Sequence, residues 1–567
     1  MPPKFSSEIR QKIIFPNYGD DQPRTSPCEV NCPAGNPIQR VHALIQENRI
    51  EEALEFLRSR NPFPGITGRV CASPCEHVCN RNEYDQGLAI RALERFAADH
   101  ADANSVAKAK RKKRTGKKLA IVGSGPAGLT CAYFSALLGH DVAVFESSPV
   151  LGGIPRMAIP DFWLPKDIVD REIGNVLALG VDAHTNTAIG RDVAFEEILA
   201  EHDACLIAVG ASRDRCPDIA GVEMMVPAIS FLKGVNLGQR DRIGDRVVIV
   251  GGGGVAFDCA FTAKRLGAAE VHIVCVEGQD CMCAPPQEIR KAEAEGILVH
   301  NSTMISSVLG LEGKVTGIEY YKISSFEFDE KCCLSVQPVS GEKRRLEANT
   351  VISAVGGEPD LTFIGNSGQF EIASNGTLKV NSQTMATSMA KVFAAGDVVA
   401  GPSTVAQAIG AGRRAAIAID RYLSGSRFSE LEKVAISEAG QVVHEAIADK
   451  LTPHMVAYDE ILNIHYHEKQ SRQETNKLPV EKSVHSFKEI DRGFERDTAV
   501  IEAGRCLHCG HCTSCGCCVE DCPGLILSME AQGPQVEYPD ECWHCGCCRI
   551  ACPSGAILYE FPLNMLV

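Results

Sequence analysis

The stretch from Lys118 to Glu146 leaves the chain few alternatives. An apolar strand, Leu119-Ala120-Ile121-Val122, runs into Gly123-Ser124-Gly125-Pro126-Ala127-Gly128, and a helix follows. Gly123 permits a tight turn, Gly125 lets backbone N–H groups approach a pyrophosphate at the helix N-terminus, and Gly128 lets helix and strand pack closely. A second apolar strand, Asp141 to Phe145, ends in Glu146, where a carboxylate binds the hydroxyls of an adenosine ribose. A bare glycine-rich surface turn would not need that acid. The pattern returns after Arg246: strand Val247 to Val250, then Gly251-Gly252-Gly253-Gly254-Val255-Ala256, a helix to Leu266, and a strand from Val271 to Val276. Two such units call for two dinucleotides.

At 567 residues the chain is too long for one core, and about three to five domains are expected. Its formal charge of −15 argues against nucleic acid as a partner. The 26 cysteines include crowded clusters near the two ends, with no basic-then-apolar leader and no run of 18 apolar residues. That usage fits a reducing cytoplasm, metal ligation and no membrane span.

The strongest cysteine signal is a duplicated run. Cys512-x2-Cys515-x2-Cys518-x3-Cys522-Pro523 and Cys542-x2-Cys545-x2-Cys548-x3-Cys552-Pro553 follow the bacterial ferredoxin spacing, in which the fourth cysteine of each run ligates the other cluster. One [4Fe-4S] cluster then takes Cys512, Cys515, Cys518 and Cys552, the other Cys542, Cys545, Cys548 and Cys522. Cys517 and Cys547 fall out of register and are expected to be small buried fillers or neighbours of the ligands. Near the N-terminus stand Cys28, Cys32, Cys71, Cys75 and Cys79, followed after Cys32 by a helix predicted over Ile38 to Arg58. Five cysteines cannot complete two four-ligand clusters, and Cys-x3-Cys spacing leaves a zinc site open. Lys108 to Lys118, with eight Lys or Arg, reads as a solvated linker. The mid-chain cysteines, among them Cys205, Cys216, Cys259, Cys281, Cys283 and Cys332-Cys333, include no Cys-x2-Cys pair, which argues against a thioredoxin-reductase-like dithiol.

Taken together, Cys28-x3-Cys32-Pro33, Thr67-Gly68-Arg69-Val70-Cys71-x3-Cys75-Glu76-x2-Cys79, Gly123 to Gly128, and Gly152-Gly153-Ile154-Pro155-Arg156 through Leu164-Pro165-Lys166 resemble the small-subunit family of glutamate synthase. That family includes the large subunit of the bifurcating transhydrogenase and the N-terminal half of dihydropyrimidine dehydrogenase. The resemblance covers about residues 25 to 425. It implies FAD on the first nucleotide unit, a pyridine nucleotide on the second, and two [4Fe-4S] clusters in an N-terminal helical domain. Gly153, Arg156, Gly396 and Asp397 join the FAD site by the same resemblance, Asp397 at the ribityl and pyrophosphate region. Thr404 and Val405 open a helix whose positive end would face the flavin ring, unless this is only an apolar helix start.

Two departures from the family pattern carry information. The family usually places two arginines past the second strand of the nicotinamide unit to hold the 2′-phosphate of NADPH, where this chain has Val276 and Glu277. A carboxylate there binds the 2′-hydroxyl of NADH and repels a phosphate, so NAD(H) is expected; the alternative is a solvent-facing Glu277 with relaxed specificity. The family also carries a Cys-x2-Cys pair before its Cys-x3-Cys-Pro, absent here, whereas Cys506 and Cys509 belong to neither ferredoxin run. The inference is that this pair folds back, so that Cys28, Cys79, Cys506 and Cys509 hold one cluster. Cys32, Cys71 and Cys75 hold the other, with Glu94 as the fourth ligand that relatives supply as a carboxylate or amide. The alternative leaves Cys506 and Cys509 as free thiols.

The expected architecture is α/β with additional domains. It comprises an N-terminal α-helical iron-sulfur domain (1–107), a basic linker (108–117), a Rossmann-like FAD domain in two parts (118–240 and 346–425), a Rossmann-like NAD domain (241–345), a connecting arm (426–505) and a C-terminal bacterial-type ferredoxin domain (506–567). The expected activity is electron transfer between NADH and a protein acceptor or donor, through FAD and four [4Fe-4S] clusters. The order of parts resembles the flavoprotein partner of dissimilatory sulfite reductase, and a similar module serves 2-oxoacid:ferredoxin oxidoreductases; ferredoxin itself is a further partner. A bifurcating enzyme, a non-enzymatic wiring subunit and a homodimer all stay open.

Overall fold

The computed structural model describes residues 12–15, 24–102, 110–329, 334–339, 341, 343–365, 369–425, 432–436, 442–446, 454–531 and 533–560. Two parallel sheets form its centre. The first runs in the order Val392–Ala394, Ala204–Ile207, Lys118–Val122, Asp141–Phe145, Asp182–His184, every pairing parallel. Leu119 to Val122 are buried, as a central parallel strand covered on both faces must be. The chain leaves Lys118–Val122 toward Asp141–Phe145 on one side and returns as Ala204–Ile207 on the other, so a crevice opens at its C-terminal end, where such sheets bind ligands.

The helix after it, Pro126–Leu137, is buried from Ala127 onward, so it lies inside the molecule instead of presenting a polar face. Its cover is the helix Val405–Leu423. The two approach at backbone distance: a Cβ on Gly412 would lie 2.2 Å from the Ala127 carbonyl oxygen, and one on Gly410 would lie 2.1 Å from that of Pro33. One helix is thus clamped both to the first nucleotide unit and to the loop that follows Cys32.

The second sheet runs Leu298–His300, Glu270–Val274, Arg246–Val250, Thr350–Ser353, Val226–Pro227, again all parallel. It draws strands from both sides of the expected 241–345 boundary, because a central strand needs partners on two edges and Thr350–Ser353 and Val226–Pro227 supply one. The strand expected to reach Val276 ends at Val274.

In the N-terminal domain the single helix expected over Ile38 to Arg58 is two helices, Ile38–Gln46 and Ile50–Arg58. Asn48 adopts φ +62°, the Asn48 N–H bonds to Ile45 O and the Arg49 N–H to Leu44 O. This left-handed cap closes the first helix.

Much of the connecting arm from His454 onward is built into this domain, while Phe487 and Ile490 pack on the second nucleotide unit. Val456 N–H bonds to Thr25 O, and His454–Met455 pairs with Arg24–Thr25. The helix Arg496–Gly504 packs on Ile38–Gln46, so that Phe494, Ala499, Ala503 and Cys506 share a core with Leu44 and Leu93. A buried ion network pins its end: Arg505 to Glu502 at 2.9 Å and to Asp85 at 3.2 Å, Arg81 to Asp85 at 2.7 Å, and Arg81 Nη1 to Arg505 O at 2.7 Å. Cys506 and Cys509 therefore sit in the N-terminal domain, although 506–567 follow one another in sequence. The remaining C-terminal residues carry two one-turn helices, Cys517–Glu520 and Cys547–Ala551, and a hairpin of Leu527–Glu530 with Gly533–Val536. Among the described residues no helix is long and apolar enough to cross a membrane.

Replacing Gly412 with alanine sets a methyl group against backbone that has no room to yield. We expect Gly412→Ala to destabilise the protein by about 1–3 kcal/mol, read as a lower thermal midpoint with earlier flavin release. An unchanged midpoint would contradict the backbone contact.

Candidate functional site: two nucleotide cradles and a series of thiol-lined cavities

The first cradle is built by backbone. Gly123 has φ +103°, and a Cβ on it would lie 2.4 Å from Ala208 O, so only glycine fits. A Cβ on Gly125 would meet nothing within 4 Å, so open space lies above the start of the helix, where a pyrophosphate fits. Gly128 and buried Ala127 close the first turn, and Gly153 abuts the Gly125 Cα. Glu146 is buried and held on both oxygens: Oε2 accepts from Ser124 N–H (3.0 Å) and the Ser124 hydroxyl (2.6 Å), and Oε1 from Ser148 N–H (2.8 Å). Its carboxylate is oriented before any ribose arrives. Ser124, an unassigned position inside the glycine motif, is the residue that sequence reading missed.

The other residues assigned to this site gather unevenly. A Cβ on Gly396 would lie 2.9 Å from Ala127 Cβ, which puts the Gly396-Asp397 turn beside the first helical turn. Asp397 accepts from the Ser403 hydroxyl, and burial raises its carboxyl above the usual range. Thr404 caps the helix Val405–Leu423, its hydroxyl accepting from Gln407 N–H while Gln407 Oε1 accepts from Thr404 N–H (2.9 Å). Arg156, by contrast, turns to Asp170 at 2.8 Å.

The second cradle repeats the backbone plan of the first with different side chains. Gly251 has φ +134°, with Ala354 O only 2.2 Å from a Cβ, and Gly253 again faces open space. Gly254 begins the helix, Val255 is partly exposed and Ala256 is buried. By register Val274 pairs with Val250 as Phe145 pairs with Val122, so the position matching Glu146 is Cys275, not Glu277. Glu277 nevertheless turns back over the cradle: a Cβ on Gly252, which takes the place of Ser124, would lie 2.5 Å from Glu277 Oε2. That oxygen is buried and, among the described residues, has no hydrogen-bond partner. Val276, half-buried, lies between the two.

The cysteines ring cavities. Cys32, Cys71, Cys75 and Glu94 line one cavity with Thr67, Asn36, Ile90 and Ala406. Glu94 accepts from Asn61 Nδ2 (3.0 Å) and from the Thr67 hydroxyl, and burial lifts it to about 7. Cys28, Cys79, Cys506 and Cys509 line a second, with Gln39, His42, Asn80 and the same Ile90. The two cavities therefore stand back to back. Asn80 Nδ2 donates to Cys509 Sγ at 3.3 Å, and burial pushes the Cys509 thiol up to about 12. Cys522, Cys542, Cys545 and Cys548 line a third, with Trp543 and Ile13. Burial, and then the nearby thiols Cys512, Cys552, Cys515 and Cys548, raise the Cys518 thiol to about 12, which puts Cys518 among cysteines of both runs. In the third cavity the fourth cysteine of the first run, Cys522, joins the first three of the second. Among the described residues no three His, Cys, Asp or Glu side chains close on a single metal position. Cys517 and Cys547 are half-exposed beside Cys515 and Cys545, which corrects the expectation of buried fillers; each follows a left-handed glycine that begins its short helix at the surface. Cys205 and Cys259 are core residues, and Cys332-Cys333 lie outside the described residues.

The family model for pyridine nucleotide-disulphide oxidoreductases matches residues 117–412. The chain belongs to that family. A second model, dihydropyrimidine dehydrogenase domain II with a 4Fe-4S cluster, matches residues 22–106. The oxidoreductase is 34% identical to the NADP(+)-dependent formate dehydrogenase subunit beta of Moorella thermoacetica, over 86% of this chain and 70% of that one. It is 32% identical to the NADPH-Fe(3+) oxidoreductase subunit beta of Geobacter sulfurreducens, over 86% and 75%. It is 31% identical to the glutamate synthase [NADPH] small chain of Escherichia coli, over 70% and 88%. The oxidoreductase is thus a glutamate synthase small-chain-like, NAD(P)H-dependent iron-sulfur flavoprotein with an N-terminal 4Fe-4S domain.

We expect Glu146→Ala to weaken FAD binding by about 1.5–3 kcal/mol, or roughly 10- to 100-fold in Kd, since it removes a charged acceptor already held in place. Flavin fluorescence released on dilution measures it, and wild-type retention would exclude Glu146 from the ribose.

Proposed function

We propose that the protein transfers electrons between NADH and a partner redox protein, with FAD in the first cradle and four [4Fe-4S] clusters in the thiol sets. When bound, FAD supplies the exchange between a two-electron hydride and single electrons. The observation that carries the reading is continuity. The helix Val405–Leu423 is capped beside the first cradle and puts Ala406, its second residue, on the wall of the Cys32 cavity. Ile90 is shared by that cavity and the next. Cys509 in the second cavity and Cys512 in the following set are three residues apart, so their backbones lie within about 11 Å. Soft thiolates in sets of four, or three with a carboxylate, suit iron-sulfur clusters.

Glu277 supports NADH as the nucleotide. Its unpartnered oxygen lies over the glycine turn, where a ribose hydroxyl can donate to it and a 2′-phosphate would be repelled by about 4 kcal/mol per charge pair at 4 Å and an effective dielectric of 20. The relatives are named for NADP(+) or NADPH, and in this reading the present chain departs from them at this position. Two of them are named as beta subunits, which supports a protein partner here; dissimilatory sulfite reductase remains the specific candidate on the order of parts alone.

Anaerobically prepared protein should carry about 16 iron atoms per chain. Cys506→Ala with Cys509→Ala should lower this to about 12 while both C-terminal clusters keep their signals. Loss of a C-terminal signal instead would refute the shared site. The wild type should show a higher kcat/KM with NADH than with NADPH, and Val276→Arg with Glu277→Arg should reverse the order without changing iron or FAD content. A wild type that prefers NADPH would remove Glu277 from the ribose.

A further inference from the structure

We propose that the outlet for electrons is the surface around Leu525 and Trp543, and that it docks a redox protein presenting an apolar centre within a basic rim. The inference rests on the proposed C-terminal clusters and adds which one meets the partner. The two thiol sets of the C-terminal module differ in what surrounds them. The loop after Cys552 is held by the body of the protein: Asn463 Nδ2 donates to Ala551 O at 2.8 Å, His467 Nε2 lies 3.0 Å from Pro553 O, Gly510 N–H bonds to Ser554 O at 2.8 Å, and Arg24 Nη1 donates to Gly555 O at 2.7 Å. That set is anchored to the body through the Cys552 loop, next to Cys509, although its Cys515 is exposed as Cys545 is in the other set.

The cavity of Cys522, Cys542, Cys545 and Cys548 lies beyond it, and its rim is open. Trp543, which lines it, is 67% exposed, and Leu525, just past Cys522, is 78% exposed. The two belong to one patch, since a Cβ on the intervening Gly524 would lie 3.8 Å from Trp543 Nε1. Leu525 is also held at φ +52°, a conformation unusual for a leucine that keeps its side chain out of the module's core. Exposed apolar side chains grouped over a functional cavity mark an interaction site. Cys545 reaches the surface in the same rim.

Charge specifies the partner. Between Cys512 and Glu560 the acidic residues are Glu520, Asp521, Glu530, Glu537, Asp540, Glu541 and Glu560, and the sole basic residue is Arg549. Glu520, Asp521, Glu537, Asp540 and Glu541 are exposed. Such a field speeds encounter with a basic surface and slows encounter with an acidic one.

The test uses the whole holoprotein with two protein acceptors as probes, cytochrome c as a basic one and rubredoxin as an acidic one. The balance is NADH + 2 Fe(III) → NAD⁺ + H⁺ + 2 Fe(II), one electron per docking event. We expect kcat/KM for cytochrome c to exceed that for rubredoxin and to fall at least about tenfold between roughly 20 and 300 mM salt, as charge steering is screened. Leu525→Ser, and separately Glu537→Lys with Asp540→Lys, should each lower it about tenfold or more, with ferricyanide reduction and iron content as in the wild type. Iron-replete variants that reduce cytochrome c at the wild-type rate would overturn the proposal. So would a wild-type rate that rises tenfold when residues 561–567 are removed, or a dimer in sedimentation that Leu525→Ser dissolves, because the chain itself would then cover the patch. Wild-type protein lacking the two C-terminal clusters by iron analysis would instead refute the reading beneath it.

Discussion

The backbone contacts of the helix Val405–Leu423 tie the two halves of the protein together. Gly412 rests on the Ala127 carbonyl and Gly410 on that of Pro33, so the nucleotide helix and the Cys32 loop are fixed to one rigid rod. Side-chain packing could not hold this geometry as tightly, since flexible side chains absorb small displacements and backbone does not. The distance from the cradle to the first thiol cavity is therefore set within a single helix, whose capped start faces one and whose first turn lines the other.

The second cavity depends on a different device. Two of its thiols arrive from more than 400 residues away, and what brings them is the ion network of Arg81, Asp85, Glu502 and Arg505. Buried pairs of this kind add little net stability, because desolvation offsets most of their attraction, but breaking one leaves an unpaired buried charge. The network thus acts as a register pin. A misplaced arm would leave those buried charges unpaired, at a cost of several kcal/mol. Asn80 ties the same loop by donating both to Val456 O and to Cys509 Sγ.

Much of this was legible in the sequence where the signal is local. Glycine spacing plus a terminal acid found the first cradle, and ligand counting against the family pattern grouped Cys28, Cys79, Cys506 and Cys509, which line one cavity. What escaped depended on tertiary partners. Val226–Pro227 and Thr350–Ser353 are too short to read as strands until a central strand recruits them. Asn48 broke a helix whose apolar spacing continued on both sides, because one left-handed residue outweighs periodicity. Arg156 kept its motif but spent its charge on Asp170, a partner invisible in the motif. Ser124 sat in a position where spacing rules accept any residue, and its role follows only from the carboxylate opposite.

The contrast between the cradles turns on that same serine. In the first unit Ser124 supplies two donors to a strand-end acid, so Glu146 is satisfied and oriented whether or not a ligand is present. In the second unit the matching position is Gly252, the strand-end residue is Cys275, and the acid comes from two residues further on. Glu277 Oε2 consequently has no donor of its own, and leaving a buried acceptor unpaired costs about 1–3 kcal/mol. In the reading proposed above, a ribose hydroxyl would remove that cost, whereas a 2′-phosphate, mostly dianionic at neutral pH, would add repulsion. In the proposed NADH reading, discrimination would come from two effects of the same sign, since sites built to pair with a hydroxyl reject ligands lacking one far more strongly than sites that differ only in size.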